Sequence, residues 1–206
     1  MPQRMHSLSF FVGLLAIAGC GQGPAALVPP HIARGAASAA MEKYDANHDG
    51  GISGEELAKA PALKATLKRL DTSGDGKVTP DEIDARIAAW QKSGIALTRT
   101  QASVRMNGQP LADAQVTLVP ESFLGENIQP ASGRTDANGN TFLSVPNPKP
   151  GEAGVHLGYY RIEVSKKKPD GSESIPAKFN TDTELGTEIT TEDMTAERIS
   201  VNLNTK

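Results

Sequence analysis

Asp45-Ala46-Asn47-His48-Asp49-Gly50-Gly51-Ile52-Ser53-Gly54-Glu55-Glu56 decides how the chain is read, because Asp71-Thr72-Ser73-Gly74-Asp75-Gly76-Lys77-Val78-Thr79-Pro80-Asp81-Glu82 repeats it. The second copy starts 26 residues after the first (71 minus 45) and keeps its register. Both place short oxygen-bearing side chains at positions 1, 3 and 5, glycine at 6, a hydroxyl at 9 and glutamate at 12. That spacing turns the oxygens toward one side of a tight loop. The sharp bend at position 6 calls for φ > 0, which glycine adopts freely. Working outward, Ala37, Met41 and Tyr44 precede the first loop at i, i+4, i+7. Leu63, Leu67 and Leu70 precede the second in the same way, and Ile83, Ile87 and Trp90 follow it. Each set is one apolar stripe of a helix. Ser53 to Glu56 and Thr79 to Glu82 read as capping boxes that open the outgoing helices, with Pro80 at a first helical position. Pro61 divides the residues between the loops, so one helix is expected to stop near Lys59 and the next to begin at Pro61.

The first copy fits the pattern Asp-x-Asp/Asn-x-Asp/Asn-Gly-x5-Glu throughout, and the second departs only at Ser73. This resembles the EF-hand calcium loop. Ca²⁺ is a hard cation that takes six to eight oxygens. The resemblance implies two Ca²⁺ sites. The first would use Asp45, Asn47, Asp49, the Gly51 carbonyl, Ser53 and Glu56. The second would use Asp71, Ser73, Asp75, the Lys77 carbonyl, Thr79 and Glu82. A serine hydroxyl is a poorer ligand than an asparagine carbonyl, so the second site is expected to be weaker. In paired EF-hands position 8 forms a short strand contact, and the β-branched Ile52 and Val78 stand there.

The 206 residues are 38% hydrophobic and 22% charged, which places the chain among one- or two-domain soluble proteins. A net charge of −3 without a basic stripe argues against nucleic-acid binding. Arg4 and the apolar run Leu8 to Ala18 read as a leader too short to span a bilayer. The leader ends in Ile17-Ala18-Gly19-Cys20, which resembles a bacterial lipobox. The resemblance implies a signal peptide over 1–19 and lipidation of Cys20, the single cysteine of the chain. Several acyl chains would hold the protein stably on a membrane. Gly21 after the cysteine favours the outer membrane or cell surface. Residues 20–35, with glycine, alanine and three prolines, read as a flexible tether before a helical unit at 36–92.

Past Trp90 the hydrophobic period changes from 3.6 to 2. Val104 and Met106, then Ala114, Val116 and Leu118, then Leu143 and Val145 alternate with polar neighbours, as do Tyr160, Ile162 and Val164, and Ile199, Val201 and Leu203. Such alternation marks half-buried strands, and Asn107-Gly108, Asn138-Gly139 and Asp170-Gly171 mark turns. About seven strands suggest a two-sheet sandwich. Pro146 to Gly158 reads as a long loop, and Asp136 to Asn140 as a β-turn, because Thr141 and Asn147 would stand where a third calcium loop needs glycine and glutamate.

Four stretches carry a second resemblance: Gly108-Gln109-Pro110-Leu111-Ala112-Asp113-Ala114-Gln115-Val116-Thr117-Leu118-Val119-Pro120-Glu121, Ser132-Gly133-Arg134-Thr135-Asp136-Ala137-Asn138-Gly139-Asn140, Gly158-Tyr159-Tyr160-Arg161-Ile162-Glu163-Val164 and Ile175-Pro176-Ala177-Lys178-Phe179. Together they resemble the carboxypeptidase regulatory-like, transthyretin-like β-sandwich of bacterial surface lipoproteins, over about 100–206. The matching positions are turn and core positions, so the resemblance implies a fold and no activity. The expected architecture is α+β and multidomain: an EF-hand pair followed by an all-β, seven-stranded sandwich.

The sequence offers no catalytic constellation. No two histidines have zinc spacing on one helix, the G-x-S-x-G elbow is missing, and Cys20 is assigned to lipid. The leading expectation is a calcium-binding, lipid-anchored envelope protein, not an enzyme, with a structural or adhesive role. Its partners would be the membrane through Cys20 and an envelope protein. A calcium sensor is the alternative, weakened because Met41 is the one methionine of the helical part and sensors open onto methionine-rich grooves. An unrecognised enzyme is the third reading.

Overall fold

The computed structural model describes residues 27–148, 152–192 and 198–205. The leader, Cys20 and the first part of the tether lie outside these residues. Four helices come first: α1 (Ala36–Tyr44), α2 (Gly54–Lys59), α3 (Pro61–Leu70) and α4 (Pro80–Ser93). Their bounds follow local chemistry. Pro61 opens α3 at its first position and ends the backbone run of α2 at Ala60. Gly94, at φ 68°, closes α4 in the left-handed region.

Eight strands follow among the described residues: β1 (Thr100–Met106), β2 (Gln109–Pro110), β3 (Gln115–Pro120), β4 (Ala131–Arg134), β5 (Asn140–Leu143), β6 (Gly158–Ser165), β7 (Gly186–Ile189) and β8 (Arg198–Leu203). They form two four-stranded sheets. The first joins β1 to β2 and β5 in antiparallel fashion, while β8 runs parallel to β1, with Val104 opposite Val201. The second is antiparallel, in the order β4-β3-β6-β7. The sheets meet at a corner where Ser132 bridges Ser144. A Cβ on Gly133 would stand 2.3 Å from the Phe142 carbonyl oxygen, so only glycine allows β4 to lie this close to β5.

The fold class is α+β, as expected, yet the helices are not a separate body. Adjacent residues of a strand point to opposite faces. Tyr159 and Tyr160 on β6 are both fully buried, so both faces of the second sheet are covered. Trp90 of α4 covers one of them, its ring 4.7 Å from that of Tyr159 and inclined at 65°. Helix α3 lies along β7, and a Cβ on Gly186 would stand 2.2 Å from the Pro61 carbonyl carbon. One hydrophobic core runs from Ala37, Leu63 and Ile83 through Leu118 and Tyr159 to Val104 and Leu203.

The described end of the expected tether differs from a free linker for the same reason. Ile32 is buried, the Ala33 N–H donates to the Leu124 carbonyl at 3.0 Å, and Asn127 Nδ2 donates to the His31 carbonyl at 3.0 Å. A single apolar side chain among prolines carries no periodicity, and its burial arises from contacts made a hundred residues away.

Candidate metal centre

Each loop is set between two helices that end or begin on a ligand position. Helix α1 ends at Tyr44, one residue before Asp45, and α3 ends at Leu70, one residue before Asp71. Glu56 and Glu82 sit at the third position of α2 and α4, inside the capping boxes read from the sequence. Ile52 and Val78 form an antiparallel bridge, with N–H···O distances of 2.9 and 3.0 Å, and both side chains are fully buried. The bridge places the loops side by side.

The loops repeat one another in backbone and hydrogen bonding. Position 6 has positive φ in both, 86° at Gly50 and 82° at Gly76. Position 4 does as well, at His48 (57°) and Gly74 (76°), a requirement the residue pattern did not announce. Asp45 accepts the N–H groups of Asp49 (3.2 Å) and Gly50 (3.1 Å). Asp71 accepts those of Gly74 (2.6 Å), Asp75 (3.3 Å) and Gly76 (2.8 Å). Asn47 accepts from Asp49 at 2.9 Å, Asp49 from Gly51 at 3.1 Å, and Asp75 from Lys77 at 2.9 Å. At position 3 of the second loop, the Ser73 hydroxyl donates to Asp71 at 3.1 Å.

The closing glutamates tie each loop's start to its end. Glu56 Oε1 accepts from the Ala46 and Asn47 N–H groups at 2.9 and 3.2 Å, and Oε2 accepts from Ser53 at 3.0 Å. Glu82 makes the same three bonds, to Thr72 (2.9 Å), Ser73 (3.2 Å) and Thr79 (3.0 Å). It also accepts the Thr79 hydroxyl at 2.9 Å.

These bonds favour the charged carboxylates. Hydrogen bonding from Ser53 holds Glu56 below the usual range, and that from Gly76 does the same for Asp71. At Glu82 burial acts upward but is outweighed by the bonds from Thr79, Ser73 and Thr72. The loops therefore present ionised, all-oxygen donors on a backbone bent at the required places, which suits a hard cation. Among the described residues no three carboxylate or imidazole groups converge closely enough to hold a metal ion; the oxygens are turned to N–H donors instead.

One cation already reaches the first loop. Lys77 Nζ of the second loop lies 2.8 Å from Asp49 Oδ2. Its stem crosses Gly51, where a Cβ would meet Lys77 Cδ at 2.9 Å. Hydrogen bonding from Lys77 lowers the Asp49 carboxyl, and the same contact raises Lys77. The loop pattern gives Lys77 no role beyond its carbonyl.

The helices beside the loops are held by two buried glutamates that the sequence pattern does not announce. Glu121, just past β3 and fully buried, accepts from Tyr44 Oη at 2.7 Å and Lys43 Nζ at 3.0 Å. Glu188 of β7 accepts from Arg69 Nη1 (3.1 Å), Arg86 Nε (2.5 Å) and Trp90 Nε1 (3.0 Å). A glutamate in a strand pattern reads as a surface residue. Gly186, two residues before Glu188, lies against the start of α3, an approach that no residue pattern announces.

An EF-hand family model matches residues 38–59 and 63–85. No curated protein and no solved structure matches the chain. The two matched segments coincide with the two helix–loop–helix units, so residues 38–85 form an EF-hand pair, the module associated with calcium binding.

Proposed function

We propose that this is a calcium-binding protein of the bacterial cell envelope, anchored by lipid on Cys20, in which two Ca²⁺ ions stabilise the fold. The observation that carries the calcium reading is the duplicated loop: two sets of oxygen donors on the same backbone shape, joined through Ile52 and Val78. Each loop carries three carboxylates within twelve residues, Asp45, Asp49 and Glu56 or Asp71, Asp75 and Glu82, and binding would draw them together around the ion. Drawing like charges together without a cation between them is unfavourable. Calcium would supply that cation. At tenfold excess over its dissociation constant each ion contributes about 1.4 kcal/mol.

A stabilising role is favoured over a sensing one by the seating of the helices. Sensor EF-hands open to expose a groove. Here Trp90 is packed on Tyr159, and Tyr44, Arg69 and Arg86 are bonded to glutamates of the β layer. Opening would break those bonds. The two four-stranded sheets support the carboxypeptidase regulatory-like reading of 100–206 as a non-catalytic surface module with a structural or adhesive role.

Calcium calorimetry tests the reading. Two sites are expected in the native chain and none in Glu56→Gln plus Glu82→Gln. A double variant that kept both sites would sink the ligand assignment. Mass spectrometry of the membrane-extracted protein is expected to show an acylated Cys20 as first residue, and an unmodified cysteine in a secreted product would sink the anchor.

A further inference from the structure

We propose that Glu188 and Glu121 are positioning residues for the two calcium sites: Glu188 aims both helices that carry the second loop's ligands, and Glu121 aims the helix that leads into the first loop. The inference rests on the calcium reading above and names residues outside both loops.

Glu188 touches the incoming and the outgoing helix of the second loop at once. Arg69 lies two residues before the first ligand, Asp71; Arg86 lies four residues after the last, Glu82; Trp90 lies four further on. All three donate to the Glu188 carboxylate, whose side chain is 1% exposed. Arg86 is fixed further by Thr190 at 3.2 Å and Glu192 at 2.6 Å, both in the segment that follows β7. The relative placement of Asp71 and Glu82 thus depends on one carboxylate outside the hand.

Glu121 does the corresponding work for the first loop. Its two donors, Lys43 and Tyr44, are the last two residues of α1, immediately before Asp45. Tyr44 and Asp45 are both buried, so a shift at the Tyr44 ring moves the first ligand with it.

Calcium binding requires ligands held close to their final geometry. Where only a fraction of molecules holds that geometry, the apparent affinity falls by the same fraction. Glu188→Gln removes the charge and replaces one of the two acceptor oxygens with an NH2 donor, so the donors from α3 and from α4 no longer share one carboxylate. The expected loss is about tenfold, the low end for partners that orient metal ligands from outside the site.

The test is calcium calorimetry on the full chain, with the fluorescence of Trp90, the single tryptophan, followed in parallel. In Glu188→Gln the second site is expected to weaken about tenfold while the first holds within twofold. Glu121→Gln should give the reverse pattern. The site lost in each variant is identified by combining it with Glu56→Gln or Glu82→Gln. A native chain that binds no calcium would overturn the calcium reading and this inference together. A native chain that binds two ions, with variants that bind them equally well or lose both sites in parallel, would overturn the positioning role alone. If Glu188→Gln does not fold, Trp90→Phe removes one donor and keeps a ring. It should weaken the second site about threefold, and an unchanged affinity there would equally overturn the role.

Discussion

Gly186→Ala puts the joint between helices and sheet under the most direct strain. Gly186 opens β7 under the start of α3, and an added Cβ would meet the Pro61 carbonyl carbon and oxygen at 2.2 Å and the Ala62 nitrogen at 2.3 Å. Carbon atoms in good contact sit about 3.5–4.0 Å apart. The helix start must therefore retreat by about 1.3 Å or more, and the obstruction is backbone on one side and strand on the other. Overpacking of well-packed sites costs about 1–3 kcal/mol, and a backbone clash belongs at the upper end. For a chain of this size each kcal/mol lowers Tm by about 2–4 °C, which gives a fall of about 6–12 °C. The control is Gly171→Ala, at a hairpin tip with φ 84° and nothing within 4 Å. That change carries only the left-handed penalty of about 1–2 kcal/mol. Thermal unfolding by far-ultraviolet circular dichroism and by Trp90 fluorescence compares the two. A Gly186→Ala chain that melts within 2 °C of the native protein would refute the seating of α3 on β7.

The other expectations concern single side chains. Lys77→Met keeps the stem over Gly51 but removes the ammonium that competes for Asp49, so calorimetry should show the first calcium site tightened, by about fivefold at most for a pair this exposed. Tyr44→Phe removes a hydrogen bond to a buried carboxylate, worth about 1.5–3 kcal/mol, and should lower Tm by about 3–12 °C with the helices still formed. Glu173 is held at about 2, since burial acting upward is outweighed by the Ser165 hydroxyl, the Ile175 and Lys166 N–H groups and Lys167. The native state therefore binds fewer protons than the unfolded one between about pH 4.5 and 2. Stability from Glu173 is complete above that window and is lost as pH falls through it. Acid titration of Glu173→Gln should flatten that limb, and an unchanged limb would contradict the assignment.

The loops were legible because their chemistry is local. Ligand oxygens, the turn glycine and the capping glutamate must all fall within twelve residues, so spacing alone exposes them. The helix stripes were legible for a similar reason: Leu63, Leu70, Ile83, Ile87 and Trp90 are all buried. The strands read from alternation are β1, β3, β6 and β8, while of the pair Leu143 and Val145 only Leu143 falls in β5. β4 and β7 did not show, because Ser132-Gly133-Arg134 and Gly186-Thr187-Glu188 have no such rhythm; their burial comes from tight approach to β5 and α3. The parallel pairing of β8 with β1 joins residues almost a hundred positions apart, which no local pattern records. The docking of the helices was hidden for the opposite reason. Its anchors, Glu121, Glu188, Arg69 and Arg86, are charged residues, and a charge that is matched in the fold looks like surface in the sequence.

Because the EF-hand pair and the sheets share one core, calcium should stabilise the chain as a whole. Differential scanning calorimetry with saturating calcium and with EDTA measures this directly. One endotherm is expected in both conditions, moved up by calcium by about 6–11 °C, from two sites at about 1.4 kcal/mol each and about 2–4 °C per kcal/mol. Two endotherms with only one sensitive to calcium would contradict the shared core, and a single endotherm that calcium leaves in place would contradict calcium as its stabiliser.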